Sequence, residues 1–518
     1  MNQPPTTTTM KTIVRSSAAL GGWHDLRVDA GLPHRGPVPD VGAHALATVL
    51  HMSDTHLCDA ESPARLEYLD RYADPDSPYR HALGDIGTYR PQEIFTAHVA
   101  IAMVQAANAI EQGPVGGAAL DAVLVTGDLT DNAQWNERDW YQTIMRGGMV
   151  RTSSGSMRYS AWVGSKHVEW DDRYWHPDGP PPGQIADRPT RIYGFPNLPD
   201  VVDMAREDVL SPGLRVRCLS VHGNHDALLQ GTVRPNAALR GLAVGSVRIT
   251  SLAPGGSLDS IARAISESGP AAYPHDETSP WMPHIADPSR RIVGPGDFAR
   301  AFGIPEGRSW FATDIGELRL IVLDTVNPHG GWQGSLSSEQ FDWLRMQLRD
   351  AHDRYTVVAS HHPSWTMTNA YQGSDAQPRI LGPDVVRLLL DHPAVIAWLS
   401  GHVHEHTARH HGRPGSGFWE ITTGSLIDWP QQARILEFLR TAGPNPAIHI
   451  ASTLIDHEGP ADFRDPNRDP CRYLASVSRA LAANDYQRDA LARNESSRSS
   501  AARGNAVWTV ADPLAARH

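Results

Sequence analysis

Seven side chains stand out in this sequence as candidate ligands of hard or borderline divalent cations. They fall in five short strings: Asp54-Thr55-His56, Gly127-Asp128, Gly223-Asn224-His225-Asp226, Ser360-His361-His362-Pro363 and Gly401-His402-Val403-His404. Two neighbouring cations need each ion wrapped in oxygen and nitrogen donors, with one anionic group shared between them. Asp54 and His56 alternate along an extended segment, so both can face one side, and they are assigned to a first metal. Asp128 is the natural bridge, because a carboxylate has two oxygens to share. Asn224 offers a neutral amide oxygen to a second metal, His361 and His402 complete that second set, and His404 returns to the first. His225 is left without a metal. It is the candidate to protonate a leaving oxygen or to stabilise the pentacoordinate state, with Asp226 orienting its ring. Two cations ~3.5–4 Å apart lower the pKa of a bridging water toward ~7, so the expected chemistry is attack of a metal-bridging hydroxide on a phosphoester. Mixed Asp, Asn and His donors without thiolates suit Mn, Fe or Zn.

In this order and spelling the strings resemble the calcineurin-like metallophosphoesterase superfamily, whose blocks read D-x-H, G-D-x-x-D/N, G-N-H-D/E, a histidine block and G-H-x-H. The resemblance covers roughly residues 46–440 and implies ligands at Asp54, His56, Asp128, Asn224, His361, His402 and His404. Departures narrow it. Protein serine/threonine phosphatases carry G-D-x-x-D-R-G and G-N-H-E, whereas this chain has Gly127-Asp128-Leu129-Thr130-Asp131-Asn132 and ends its third block in Asp226. Purple acid phosphatases place a tyrosine ligand where Asp131 stands. What is left is a likeness to small-molecule phosphodiesterases, including those that act on cyclic nucleotides. The expected function is therefore a dinuclear metal-dependent hydrolase of small phosphodiesters or monoesters. A cyclic-nucleotide phosphodiesterase, a nuclease and a non-catalytic scaffold of the same fold are the alternatives.

Elements must bring these strings together. Apolar strand-like runs precede them at Ala47–Ser53, Asp121–Thr126, Arg215–Val221, Thr356–Ala359 and Ala394–Leu399. Helices are expected from Gln92 to Gln112, between Pro91 and Gly113-Pro114, from Ser337 with a Ser337/Gln340 capping box, from Pro383 to Asp391, and from Arg472 to Arg493. A hairpin is expected to turn at 314–317, with further strands at Phe418–Thr422, Ala433–Phe438, Ile448–Leu454 and Val507–Val510. Alternating strands and helices followed by consecutive strands suggest an α/β sandwich with mixed sheets. With the resemblance, the expected class is α/β, a four-layer α/β/β/α sandwich of two mixed β-sheets with the metal site at strand C-terminal ends. The expected organisation is an irregular N-terminal extension (1–45), a catalytic domain (46–455) with insertions near 141–212 and 227–305, and a C-terminal helix and tail (456–518). Trp162, Trp170, Tyr174, Trp175 and Tyr193 make the first insertion a candidate lid or pocket wall, and Trp365 and Asp428 to Gln432 are further candidate walls. Glu405-His406 and His410-His411 read as polar loop.

Net charge of −12 argues against a standing affinity for nucleic acid or an anionic membrane, so any phosphate must be captured locally. The three cysteines, Cys58, Cys218 and Cys471, are too far apart in sequence for a thiolate zinc site. No run approaches the ~18 apolar residues of a membrane span, and Met1 to Ala19 lack an apolar stretch. The expected setting is the cytoplasm, the expected partner a small phosphoester; the sequence leaves oligomeric state open.

Overall fold

Ala122 and Leu124 face one way and Val123 and Val125 the other, and both faces are buried. A strand apolar on both sides needs a partner layer on each, and this sets the architecture. The computed structural model describes residues 11–17, 22–31, 33–39, 42–72, 74–79, 89–254, 257–259, 278–304, 308–373, 377–464, 469–488 and 504–515.

In chain order the strands are β1 (Lys11–Arg15), β2 (Leu26–Ala30), β3 (His44–Met52), β4 (Ala122–Val125), β5 (Gly148–Val150), β6 (Val209–Ser211), β7 (Cys218–Ser220), β8 (Val247–Ile249), β9 (Trp281–Pro283), β10 (Phe311–Ile315), β11 (Leu318–Val322), β12 (Thr356–Ala359), β13 (Val395–Ser400), β14 (Thr407–His411), β15 (Phe418–Thr422), β16 (Gln432–Thr441), β17 (Ala447–Asp456) and β18 (Ala506–Ala511). The main helices are α1 (Thr96–Ala109), α2 (Trp135–Arg146), α3 (Ser338–Asp350), α4 (Gly382–Leu390) and α5 (Pro470–Ala482).

One six-stranded sheet has the order β18-β17-β16-β3-β4-β7, with β3, β4 and β7 parallel and the others antiparallel. The second has the order β10-β11-β12-β13-β15-β14, parallel from β11 to β15 with antiparallel edges. Val49, Leu124 and Phe438 of the first sheet meet Leu320, Val357 and Leu399 of the second in one core. Outside the first sheet, Leu50, Met52 and Val123 pack on α1, α2 and α5; outside the second, Ile321, Val358 and Trp398 pack on α3 and α4. The molecule is the four-layer sandwich expected from the sequence.

Several elements differ from expectation. Lys11–Arg15 and Leu26–Ala30 form an antiparallel hairpin in the stretch read as irregular. β14 occupies the segment read as polar loop; it is a half-exposed edge strand with no apolar alternation, and its pairing to β15 makes it a strand. α2 starts from a capping box built on Gln134 and Glu137, a cap residue type that gives little sequence signal. Ser337 Oγ accepts from Gln340 N at 3.2 Å as expected, but the Gln340 amide reaches back to the Asp324 backbone instead, so only half of that box forms. Helix α5 ends at Ala482 and helical residues resume at 486–488, while residues 489–493 of the expected Arg472–Arg493 helix lie outside the described residues.

The insertions are cemented down. Arg206, Arg248 and Arg290 from them reach Glu61, Glu67 and Asp59, three buried carboxylates on the segment that follows the Asp54 loop, at 2.8, 2.6 and 3.4 Å. Trp162 and Trp175 are fully buried and pack with Phe95, Phe195 and Leu474. Among the described residues, no helix is long and apolar enough to cross a membrane.

Candidate metal centre

All five strings sit at the carboxyl ends of parallel strands: Asp54 and His56 after β3, Asp128 after β4, Asn224 after β7, His361 after β12, His402 and His404 after β13. The first two loops are tied together, Asp54 N donating to Gly127 O at 3.0 Å and His56 N to Asp128 O at 2.9 Å. Asp54, His56, Asp128, His402 and His404 have φ of 53°, 42°, 49°, 71° and 56°. A non-glycine residue in that region costs about 1–3 kcal/mol, so strain is concentrated on the residues that aim at the site. Two glycines are needed by close approach. A Cβ at Gly401 would fall 1.7 Å from Ser53 Oγ and 2.4 Å from Asp54 Oδ2, and one at Gly223 2.2 Å from Asp128 N.

The first group is Asp54, His56 and His404. His56 Nδ1 donates to Asp131 Oδ1 at 3.0 Å and His404 Nδ1 to Asp428 Oδ2 at 2.5 Å. With both Nδ1 protons committed, both Nε2 lone pairs point inward. They lie 3.2 Å apart, and His404 Nε2 is 3.2 Å from Asp54 Oδ1.

The second group is Asp128, Asn224 and His361, with His402 beside them. His361 Nδ1 donates to Thr126 O at 2.7 Å, and Asn224 Nδ2 donates to Gly231 O at 3.0 Å, which turns Oδ1 inward. His361 Nε2 is then 2.9 Å from Asn224 Oδ1 and 3.2 Å from Asp128 Oδ2. The same Asp128 oxygen is 3.6 Å from His56 Nε2, so one carboxylate oxygen faces both groups. The His402 ring centroid is 5.0 Å from that of His361, and its nitrogen lies within 4.8 Å of ligand atoms of His361 and His362. His362 itself is spent on Thr325 and the Trp332 carbonyl, at 2.7 and 2.9 Å.

These donors fit cations. Two ligand atoms bound to one ion at ~2.1 Å and near-tetrahedral or octahedral angles lie roughly 3.0–3.4 Å apart; His56–His404, His404–Asp54 and His361–Asp128 are each at 3.2 Å, with His361–Asn224 at 2.9 Å and His56–Asp54 wider at 3.9 Å. Lone pairs at that distance with no proton between them repel unless a cation neutralises them. Without an ion the strain falls on protonation. Burial lowers the basicity of His361, but the Asp128 and Asp54 carboxylates outweigh it and push its pKa up to about 9. Buried Asp128 is held well below the usual carboxylate range, because His361 and His225 outweigh the cost of its burial.

His225 lies on the cavity of about 280 Å³ that opens over both groups. Its ring is held by the Asp131 carbonyl, which accepts from Nδ1 at 2.8 Å. Asp226 does not orient that ring as expected. Its oxygens accept from Thr130 N and Oγ1 and from Gly223 N, pinning the turn that carries Asn224 and His225. The sequence reading also missed Arg90, Arg488 and Trp332, which line the same cavity. None of the residues of 141–212 lines it; those of the first insertion, among them Trp170 and Tyr174, line a separate cavity. Asp428 lines the cavity as expected of a wall, whereas Trp365 lies elsewhere, under Arg409 at 4.5 Å.

The calcineurin-like phosphoesterase family profile matches residues 197–406. A probable cyclic nucleotide phosphodiesterase of Synechococcus sp. (strain WH7803) is 34% identical over 106 residues, 19% of this chain and 39% of that protein. The 3',5'-cyclic adenosine monophosphate phosphodiesterase CpdA of Pseudomonas aeruginosa is 29% identical over 167 residues, 30% of this chain and 53% of that protein. The chain thus spans about half or less of the length of these curated relatives. A solved dimetal phosphatase from Danio rerio aligns over 80% of this chain and 97% of that one at 12% identity, with a TM-score of 0.35.

Proposed function

We propose, from the match of residues 197–406 to the calcineurin-like phosphoesterase profile, that the chain is a metal-dependent hydrolase of small phosphoesters, with two metals held by Asp54, His56, Asp128, Asn224, His361, His402 and His404. The observation that carries it is Asp128 Oδ2, shared between two groups of inward-facing lone pairs at 3.6 and 3.2 Å. Two bound cations would polarise the phosphoryl group and acidify water at the site. Mn, Fe or Zn suits the mixed oxygen and nitrogen donors.

The chain's own residues do the rest. Asp131 and Asp428 fix the His56 and His404 tautomers, which keeps both Nε2 atoms as ligands. His225, with Nδ1 donating to Asp131 O, would have to carry a second proton on Nε2 to protonate the leaving oxygen; burial lowers its pKa to about 4, so that proton has to be taken up as negative charge develops on the ester. Asp226 serves by holding the Asn224–His225 turn. The cavity of about 280 Å³ suits a small ester better than a polymer, and a net charge of −12 disfavours the nuclease alternative. The cyclic nucleotide named for the relatives makes a cyclic phosphodiester the favoured substrate. The cytoplasmic setting belongs to this proposal and is supported by three free cysteines.

The test compares hydrolysis of an aryl phosphate monoester, an aryl phosphate diester and cyclic AMP by the Mn-reconstituted chain. Turnover of the diester and the cyclic nucleotide is expected, with strong loss in Asn224→Ala and His402→Ala. Absence of turnover on all three, or full activity in both variants, would overturn the assignment.

A further inference from the structure

Asp428 is fully buried 24 residues beyond His404, and four donors converge on it. On Oδ2 it accepts from His404 Nδ1 at 2.5 Å and from an Arg488 guanidinium nitrogen at 2.6 Å. On Oδ1 it takes Arg90 Nε at 3.2 Å and Gln92 Nε2 at 3.3 Å. A second Arg488 nitrogen donates to the His404 carbonyl at 3.4 Å, so one guanidinium grips both the histidine backbone and the carboxylate that holds its ring.

Arg488 is itself anchored. It lies in a helical turn, 486–488, after α5, where the Asp485 carboxylate accepts from Arg488 N at 3.0 Å and Gln487 N at 3.1 Å. Gln487 Nε2 reaches Asp70 and Asp74 at 3.1 and 3.0 Å, and Tyr486 stacks on Tyr193 with centroids 3.9 Å apart. This turn lies outside the five strings and outside residues 197–406.

We infer that Arg488 is a positioning residue of the metal centre: it locks Asp428 against His404 so that the His404 Nε2 lone pair stays aimed at the first metal. The turn at 485–488 is thereby a working part of the site. The inference rests on the metal reading above. Partners that aim a metal-binding histidine typically change metal affinity 10–100-fold when removed. Arg90 stays on the other oxygen and keeps the buried carboxylate paired, so loss of Arg488 frees its rotation more than its charge.

The experiment titrates Mn into the metal-free full-length chain by calorimetry. Arg488→Met is expected to weaken one of two sites about 10–100-fold and to leave the other unchanged. Arg488→Lys is expected to restore most of that loss, and the exposed-pair control Arg191→Met to change nothing. Thermal unfolding of the metal-free proteins should coincide. Two unchanged sites in Arg488→Met would overturn the inference alone, as would equal weakening of both sites with a lowered unfolding temperature. A wild-type chain that takes up no metal would overturn the metal reading and this inference with it.

Discussion

His56 and His404 face each other through Nε2 atoms 3.2 Å apart, each with its Nδ1 committed to a carboxylate. That arrangement is what a pair of metal ligands would show, and the seven proposed ligand positions could be picked out because their spelling and order stand in the sequence. What supports them was not. Thr126 and Asp131 hold His361 and His225 through backbone carbonyls, which any residue type supplies. Asp428 lies far from the motif it serves. Asp226 was misassigned because adjacency in sequence suggested contact with the neighbouring ring, whereas the turn points its carboxylate at Thr130 and Gly223. His225 carries the sharpest prediction at this scale. His225→Ala should retain full metal content and lose roughly 10²–10⁴ in kcat; elemental analysis beside steady-state kinetics on an aryl diester checks both, and unchanged turnover would remove His225 from the chemistry.

Strands that end at ligands were readable because burial on both faces demands unbroken apolar runs, as in β4 and β12. Elements whose apolar faces are partial were not: β14 is stabilised by pairing, and α2 by packing of Trp140, Tyr141 and Ile144 on the sheet. The aromatic insertion pointed to a lid by composition alone. Trp162 and Trp175 are instead covered by their surroundings, and three arginine–carboxylate pairs fix the insertions to the scaffold. Helix α1 offers a stability test. His98 is buried in it, and burial depresses its pKa to about 4 from 6.5. The folded chain therefore binds fewer protons than the unfolded one between those values. Its contribution is full above pH 6.5 and is lost as pH falls through about 4, a change of up to about 3 kcal/mol. Urea unfolding of the metal-free chain at pH 7.5 and 4.5 should show a smaller pH loss in His98→Gln, by about 2 kcal/mol; equal losses would mean that His98 is not the titrating group.

For the molecule as a whole, the two sheets converge their parallel carboxyl ends on one cavity, and residues from β3 to β13 meet there despite separations of hundreds of positions. We propose a catalytic unit over 46–455 with extensions at 1–45 and 456–518; α5 and β18 of the latter pack on the first sheet. A chain of net charge −12 gains no long-range attraction for a phosphate anion, so under the proposed function capture would fall to the cavity itself. The central claim is that this cavity holds a pair of metals joined by Asp128. Metal stoichiometry of the reconstituted wild-type chain, by elemental analysis, tests it most directly: two ions per chain is the predicted result, and one or none would contradict it.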